Sequence, residues 1–147
     1  LMNKNIRKKY YALLVGVLNQ EIIEIESKIE KDSKQKKMVI GEEEGRDAYT
    51  KITLLKKYQA YSFVEIEIET GRTHQIRLHT SSIGYPVAGD SKYCIDDDQI
   101  LNKKLNLKRL FLHAYYLSFF YDQKYEFILD LPSDLKEVLS TLEKDNE

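Results

Sequence analysis

"YSFVEIEIETGRTHQIRLHTSSIGYP", residues 61–86, changes its period halfway along. The first half alternates: Val64, Ile66 and Ile68 fall on one face of a strand, Glu65, Glu67 and Glu69 on the other. Gly71 ends that strand, Thr73 suits a helix N-cap, and Ile76, His79, Thr80 and Ile83 recur at helical spacing until Gly84 and Pro86 stop the helix. The stretch reads as strand, turn, helix. At the helix start Arg72, His74 and Arg77 stand beside unpaired backbone N–H groups and the positive end of the helix dipole, which makes an anion-binding corner. Phosphate and a protein carboxylate are both candidate anions, and surface pairing of the arginines with neighbouring glutamates is the plainer alternative.

Working outward, "YYALLVGVL" (10–18) is an apolar run suited to a buried strand. "EIIEIES" (21–27) follows Asn19, a turn-favouring residue, so a hairpin between the two is expected. Residues 28–47 lose periodicity and read as a loop or irregular crossing; "KDSKQKK" (31–37) and "EEEGR" (42–46) look like solvated surface. "AYTKITLLKKY" (48–58) resumes a strand pattern. Downstream, "RLFLHAYYLSFFYDQKYEFILDL" (109–131) predicts a hairpin turning near Asp122 to Lys124. Pro132 and Ser133 then open a closing helix whose apolar side is Leu135, Val138, Leu139 and Leu142. Short turns between dominant strands predict an α+β domain with a mostly antiparallel sheet and a few flanking helices.

Residues 1–147 are about the length of one domain. A formal charge of −1 argues against coating nucleic acid by charge alone and leaves room for a local basic cleft. A lone cysteine, Cys94, forms no internal disulfide, and no apolar stretch reaches the roughly 18 residues of a membrane span. "LMNKNIRKKYY" (1–11) lacks the apolar centre of a signal peptide, so a cytoplasmic location is expected. No metal site is expected either: His74 and His79 do not stack on one helical face, and no cysteine or carboxylate falls at zinc spacing. Walker, dinucleotide-glycine and Gly-x-Ser-x-Gly patterns are absent.

The run "GRTHQIRLHTSSIGYPVAGDSKY" (71–93) resembles the signature of the RluA/RluD-family RNA pseudouridine synthases, in which Gly-Arg-Thr-His-Gln-x-Arg-x-His leads to Gly-x-Pro, Gly-Asp and Tyr. "KKYYALLVG" (8–16) is similar to that family's Lys-x-Tyr-x-Ala strand, residues 31–58 to its middle segment, and "LFLHAYYLSF" (110–119) with "LPSDLKEVL" (131–139) to its closing hairpin and helix. The resemblance implies isomerisation of uridine in RNA to pseudouridine without cofactor or metal: an aspartate does the covalent work on a base taken out of the RNA stack. It implies that Arg77 pairs with and orients that aspartate, that Tyr10 stacks on the base and helps with the proton at C5, and that Leu112 lines the pocket. Arg72, Thr73 and His74 are then expected to bind substrate at the cleft mouth, near phosphate. On residue type alone Tyr10 and Leu112 would be ordinary core, and His79 and His113 satisfied structural histidines.

The family's His-Arg-Leu-Asp-x-x-Thr-Ser-Gly motif, which carries the nucleophile, has no counterpart before Tyr10, and Asp90 matches a different position, at a turn. The chain is therefore expected to be the C-terminal portion of a catalytic domain, acting on ribosomal or transfer RNA in its parent protein, inactive alone, and prone to self-association through uncovered sheet edges. A non-catalytic RNA-binding module of the same fold is the alternative.

Overall fold

Strand β1 (Arg7–Val15) carries apolar side chains on both faces, and such a strand is stable only where both faces are covered. In the computed structural model, which describes residues 6–32, 37–41, 45–69, 71, 74–93 and 104–145, it lies inside a seven-stranded antiparallel sheet. Ala12, Leu13 and Leu14 are fully buried. The remaining strands are β2 (Ile22–Asp32), β3 (Lys37–Gly41), β4 (Arg46–Lys57), β5 (Tyr61–Ile68), β6 (Leu112–Phe120) and β7 (Lys124–Ile128), in the spatial order β3-β2-β4-β5-β1-β6-β7. Helices α1 (Gln75–Ser82) and α2 (Ser133–Asp145) cover opposite faces. Leu13 and Val15 pack with Phe111 and with Leu135, Val138 and Leu142 of α2; Ala12 and Leu14 pack with Ile52, Val64, Ile66 and Val87 and with Ile76 of α1. The fold is thus α+β, with β1 shared by two cores.

The expected hairpin between β1 and β2 does not form. Both edges of β1 are taken, by β5 and by β6, so β2 pairs with β4 and β3 instead. After β1 the chain is led along the start of β5: the Leu18 N–H donates to Ser62 Oγ (2.9 Å), which donates to the Gly16 carbonyl (2.8 Å). Residues 28–47 are likewise not a loop throughout, because β2 runs on to Asp32 and returns as β3, in register from Lys28 opposite Gly41 to Asp32 opposite Lys37. Their lysine-rich sequence is one that suits the margin of a sheet, where charge discourages further strand addition. The hairpin of β6 and β7, with Phe120 opposite Lys124, and the closing helix α2 lie where the sequence puts them.

The pairing of β1 with β6 slips by one residue. Lys9 is opposite Tyr116 and Tyr10 opposite Ala114, so Tyr115 is an extra residue, a β-bulge. Tyr115 stacks on Tyr11 (centroids 3.8 Å apart), while the Lys9 ammonium sits 5.3 Å from the Tyr116 ring centre.

Helix α1 buries polar side chains, and each finds a partner. Gln75 Nε2 donates to the Tyr49 carbonyl (2.7 Å) and to Thr50 Oγ1 (3.0 Å), and Thr80 Oγ1 donates to the Ile76 carbonyl (2.9 Å). His79, fully buried, bridges Thr50 Oγ1 and Ser27 Oγ, each at 2.7 Å, and so ties α1 to β4 and β2. The helical face read as Ile76, His79, Thr80 and Ile83 is therefore half apolar and half hydrogen-bonded. Among the described residues no helix is long and apolar enough to cross a membrane.

Two outcomes follow in equilibrium unfolding. Leu13→Ala, which opens a cavity in the middle of the sheet, costs about 2–5 kcal/mol, whereas Ile22→Ala, at a side chain that is 53% exposed, costs under about 1 kcal/mol; urea midpoints measure both. Burial holds the His79 pKa down to about 4 from its ordinary 6.5. Below about pH 6.5 the unfolded chain takes up a proton that the folded chain refuses, so this contribution is complete above pH 6.5 and is lost as pH falls towards 4. Between pH 7 and 4 the wild type should lose about 3 kcal/mol more unfolding free energy than a His79→Gln variant, and equal losses would disprove the assignment.

Candidate active site

Helix α1 starts directly behind His74, whose backbone is left-handed (φ 55°, ψ 21°) and whose side chain makes no capping bond. For a non-glycine residue that conformation costs on the order of 1–3 kcal/mol and persists only where its surroundings enforce it. Tyr93 contributes: its hydroxyl lies 2.9 Å from His74 Nδ1, and the two rings meet edge to face. His74, rather than Thr73, thus occupies the N-cap position; Thr73 and Arg72 fall outside the described residues. Burial, and then the charges of Arg77 and Lys92, press the His74 pKa below its ordinary value and favour the neutral imidazole.

One turn along, Arg77 meets the carboxylate that the anion-binding corner calls for. Its Nε donates to Asp90 Oδ2 (2.9 Å) and its Nη2 to Oδ1 (2.7 Å), a two-pronged pair in which the Asp90 side chain is completely buried. Oδ1 also accepts the backbone N–H groups of Lys92 (2.9 Å) and Tyr93 (3.1 Å). Burial pushes the Asp90 pKa up, but the Arg77 guanidinium and those two N–H groups outweigh it and hold the carboxyl below its ordinary range. The Tyr93 ring lies 5.3 Å from the guanidinium carbon.

A cleft of about 230 Å³ opens beside this pair. Tyr10, Ile68, Ile76 and Leu112 give it an apolar lining; His74, Gln75 and Arg77 give it a polar side. Four residues singled out in the sequence, Tyr10, His74, Arg77 and Leu112, are brought together here from β1, the α1 entry, α1 and β6. Tyr10 is opposite Ala114 and Leu112 opposite Ala12, so the bulge at Tyr115 falls next to the cleft. Burial raises the Tyr10 phenol pKa, keeping the hydroxyl protonated at neutral pH. Lys8, two residues before Tyr10, brings its ammonium to 3.2 Å from where a side chain on Gly71 would begin.

Sequence reasoning singled out neither Ile68 nor Ile76 as cleft residues, since apolar strand and helix positions look alike whether they meet core or ligand. Tyr93 was legible only as part of a motif. His113 Nε2 bonds the Leu129 carbonyl (2.8 Å) and His79 is held in the α1 interface, so both are structural. Among the described residues no three His, Cys, Asp or Glu side chains converge as metal ligands.

Comparison with known proteins bears on the family and the fold. The family model described as RNA pseudouridylate synthase matches residues 1–82. An uncharacterised RNA pseudouridine synthase of Bacillus subtilis is 33% identical, over 98% of this chain and 46% of its own length. The ribosomal large subunit pseudouridine synthase C of Buchnera aphidicola subsp. Baizongia pistaciae is 37% identical, over 88% of this chain and 42% of its own. The solved structure of human RNA Pseudouridylate Synthase Domain Containing 1 has a TM-score of 0.77 at 29% identity, covering 87% of this chain and 56% of that one. The chain spans less than half the length of these two curated relatives. By sequence and by fold, it belongs to the RNA pseudouridylate synthase family.

Proposed function

We propose that this chain is the base-holding and orienting part of an RNA pseudouridine synthase that converts specific uridines, in ribosomal RNA before transfer RNA, to pseudouridine in the cytoplasm. The observation that carries the reading is the convergence of Tyr10, Leu112 and Arg77 on one cleft from three separate elements. An unstacked uracil has an aromatic face for Tyr10 and apolar edges for Ile68, Ile76 and Leu112. The raised phenol pKa leaves Tyr10 able to donate a hydrogen bond or assist a proton transfer at C5. Arg77 stabilises and aims the carboxylate that attacks the nucleoside, while Arg72, Thr73 and His74 meet the adjoining phosphates at the helix start. The reaction uses no cofactor and no metal.

The nucleophile is an aspartate contributed by the parent protein outside these residues. Among the described residues no carboxylate lines the cleft, and Asp90, the nearby buried candidate, has both oxygens committed to Arg77 and to backbone N–H groups. The commitment of both Asp90 oxygens favours the second reading, in which the chain binds RNA without turning it over.

Tritium release from RNA labelled at uridine C5 separates the two. The expected outcome is release by a form extended upstream by about a hundred residues, and none by the 147-residue chain. Arg77→Ala in the extended form should lower kcat by about 10²-fold or more. RNA retention without release by both forms would favour the binding module, and release by the short chain would contradict the placement of the nucleophile. The edge strand β7 bears exposed Phe127 and Ile128, next to exposed Phe120 and Tyr121, so the isolated chain should self-associate with rising concentration. A single monomeric species throughout light-scattering runs would refute that.

A further inference from the structure

Resting on that functional reading, we infer that Asp90 is a positioning residue: it locks the Arg77 guanidinium in a single orientation, so that the cleft presents an arginine already aimed before any second carboxylate arrives. The segment after α1 is built as a bracket around Arg77. Gly89 begins it with a backbone (φ +85°) open to glycine, and a Cβ there would lie 2.3 Å from the Arg109 carbonyl oxygen, so the chain passes too close to that strand approach for any other residue. Asp90 N–H donates to the Val87 carbonyl (3.1 Å), and the carboxylate then takes the Nε and Nη2 edge of the guanidinium. Tyr93 covers the guanidinium face and holds His74 at the helix start, and Ser81 Oγ donates to the Tyr93 carbonyl (2.9 Å), tying the bracket back to α1.

A loop can be fastened to a helix with apolar side chains. Here a fully buried carboxylate is matched to an arginine that remains 19% exposed and lines the cleft. Sinking the carboxylate is unfavourable unless its lone pairs are filled, and Arg77 and two N–H groups fill them. What results is a cation with fixed geometry beside a cavity, the arrangement that stabilises developing charge without reorganisation during reaction.

The test uses the full-length protein. Asp90→Asn keeps the shape and removes the charge: kcat for tritium release should fall about 30-fold or more, with KM for RNA within about twofold. Combined with Arg77→Lys, the loss should equal that of Arg77→Lys alone to within about threefold, since one residue acts through the other. Multiplying losses, or wild-type kcat in folded Asp90→Asn, would overturn the inference. Because the variant can fail to fold, the wild type supplies an independent reading by NMR: the Arg77 Nε–H should exchange with water at least about tenfold more slowly than in free arginine. Turnover together with fast exchange sinks the lock alone. Slow exchange without any turnover on RNA sinks the functional reading, and with it the catalytic sense of the lock.

Discussion

Double-sided burial of β1 is the constraint from which the rest follows. A strand with Leu13 facing one core and Ala12 and Leu14 facing the other needs a neighbour on each edge and a helix over each face. β5 and β6 supply the edges, α2 and α1 the covers. Once β1 is enclosed, its own alternation sorts the remaining chemistry. Tyr10 shares the α1 face with Ala12 and so opens into the cleft, while Tyr11 turns to the α2 face and stacks with Tyr115. A single apolar strand therefore anchors both the stability of the sheet and the placement of the aromatic ring that the proposed reaction uses.

The cleft side of the sheet combines apolar packing with an unusual density of satisfied polar groups. Gln75, His79, Thr80 and Asp90 are all buried there, and all are hydrogen-bonded. An unpaired buried polar group costs about 1–3 kcal/mol, and a typical satisfied pair returns only about 0.5–1.5 kcal/mol, so these contacts add little net stability. Their effect is on uniqueness. α1 can dock in only one rotation and at one height, which sets where Arg77 and His74 emerge. The strained backbone of His74 is tolerable for that reason: the helix behind it and the Tyr93 hydroxyl in front leave it no alternative.

Several of these features were legible in the sequence, for identifiable reasons. The change of period across residues 61–86 marks β5 and α1 because alternating and helical patterns are local properties. The hairpin of β6 and β7 and the Pro132–Ser133 helix start are local too. The β1 to β2 connection was misread because Asn19 is a sound local turn signal, overruled by distant strands competing for the same edges. The far half of β2 was hidden by its charge, since a strand near the sheet margin needs no apolar alternation, and β3, five residues long, by its brevity between the charged segments 31–37 and 42–46. Tyr10, Arg77 and Leu112 were reached through family resemblance; nothing in their spacing announces that residues on β1, α1 and β6 meet. Asp90 could be placed at a turn but not against Arg77, because that contact depends on how the segment after α1 folds back.

The extra residue at Tyr115 gives β6 a change of phase. Up to Ala114 the even-numbered side chains share the face of Tyr10; beyond the bulge, Tyr116 turns to the Lys9 side and the odd-numbered Leu117, opposite Lys8, takes over the cleft face. β6 is in effect two strands of opposite parity spliced at one residue. A change of sequence at Tyr115 would alter one ring, and removal of the residue would close the bulge with every pair in its present register; a strand that ran straight with Tyr115 retained would put Tyr116 opposite Lys8 and invert the sidedness of everything up to Phe120 relative to β1. At its present length β6 keeps Leu117 on the cleft face only by looping one residue out of the ladder.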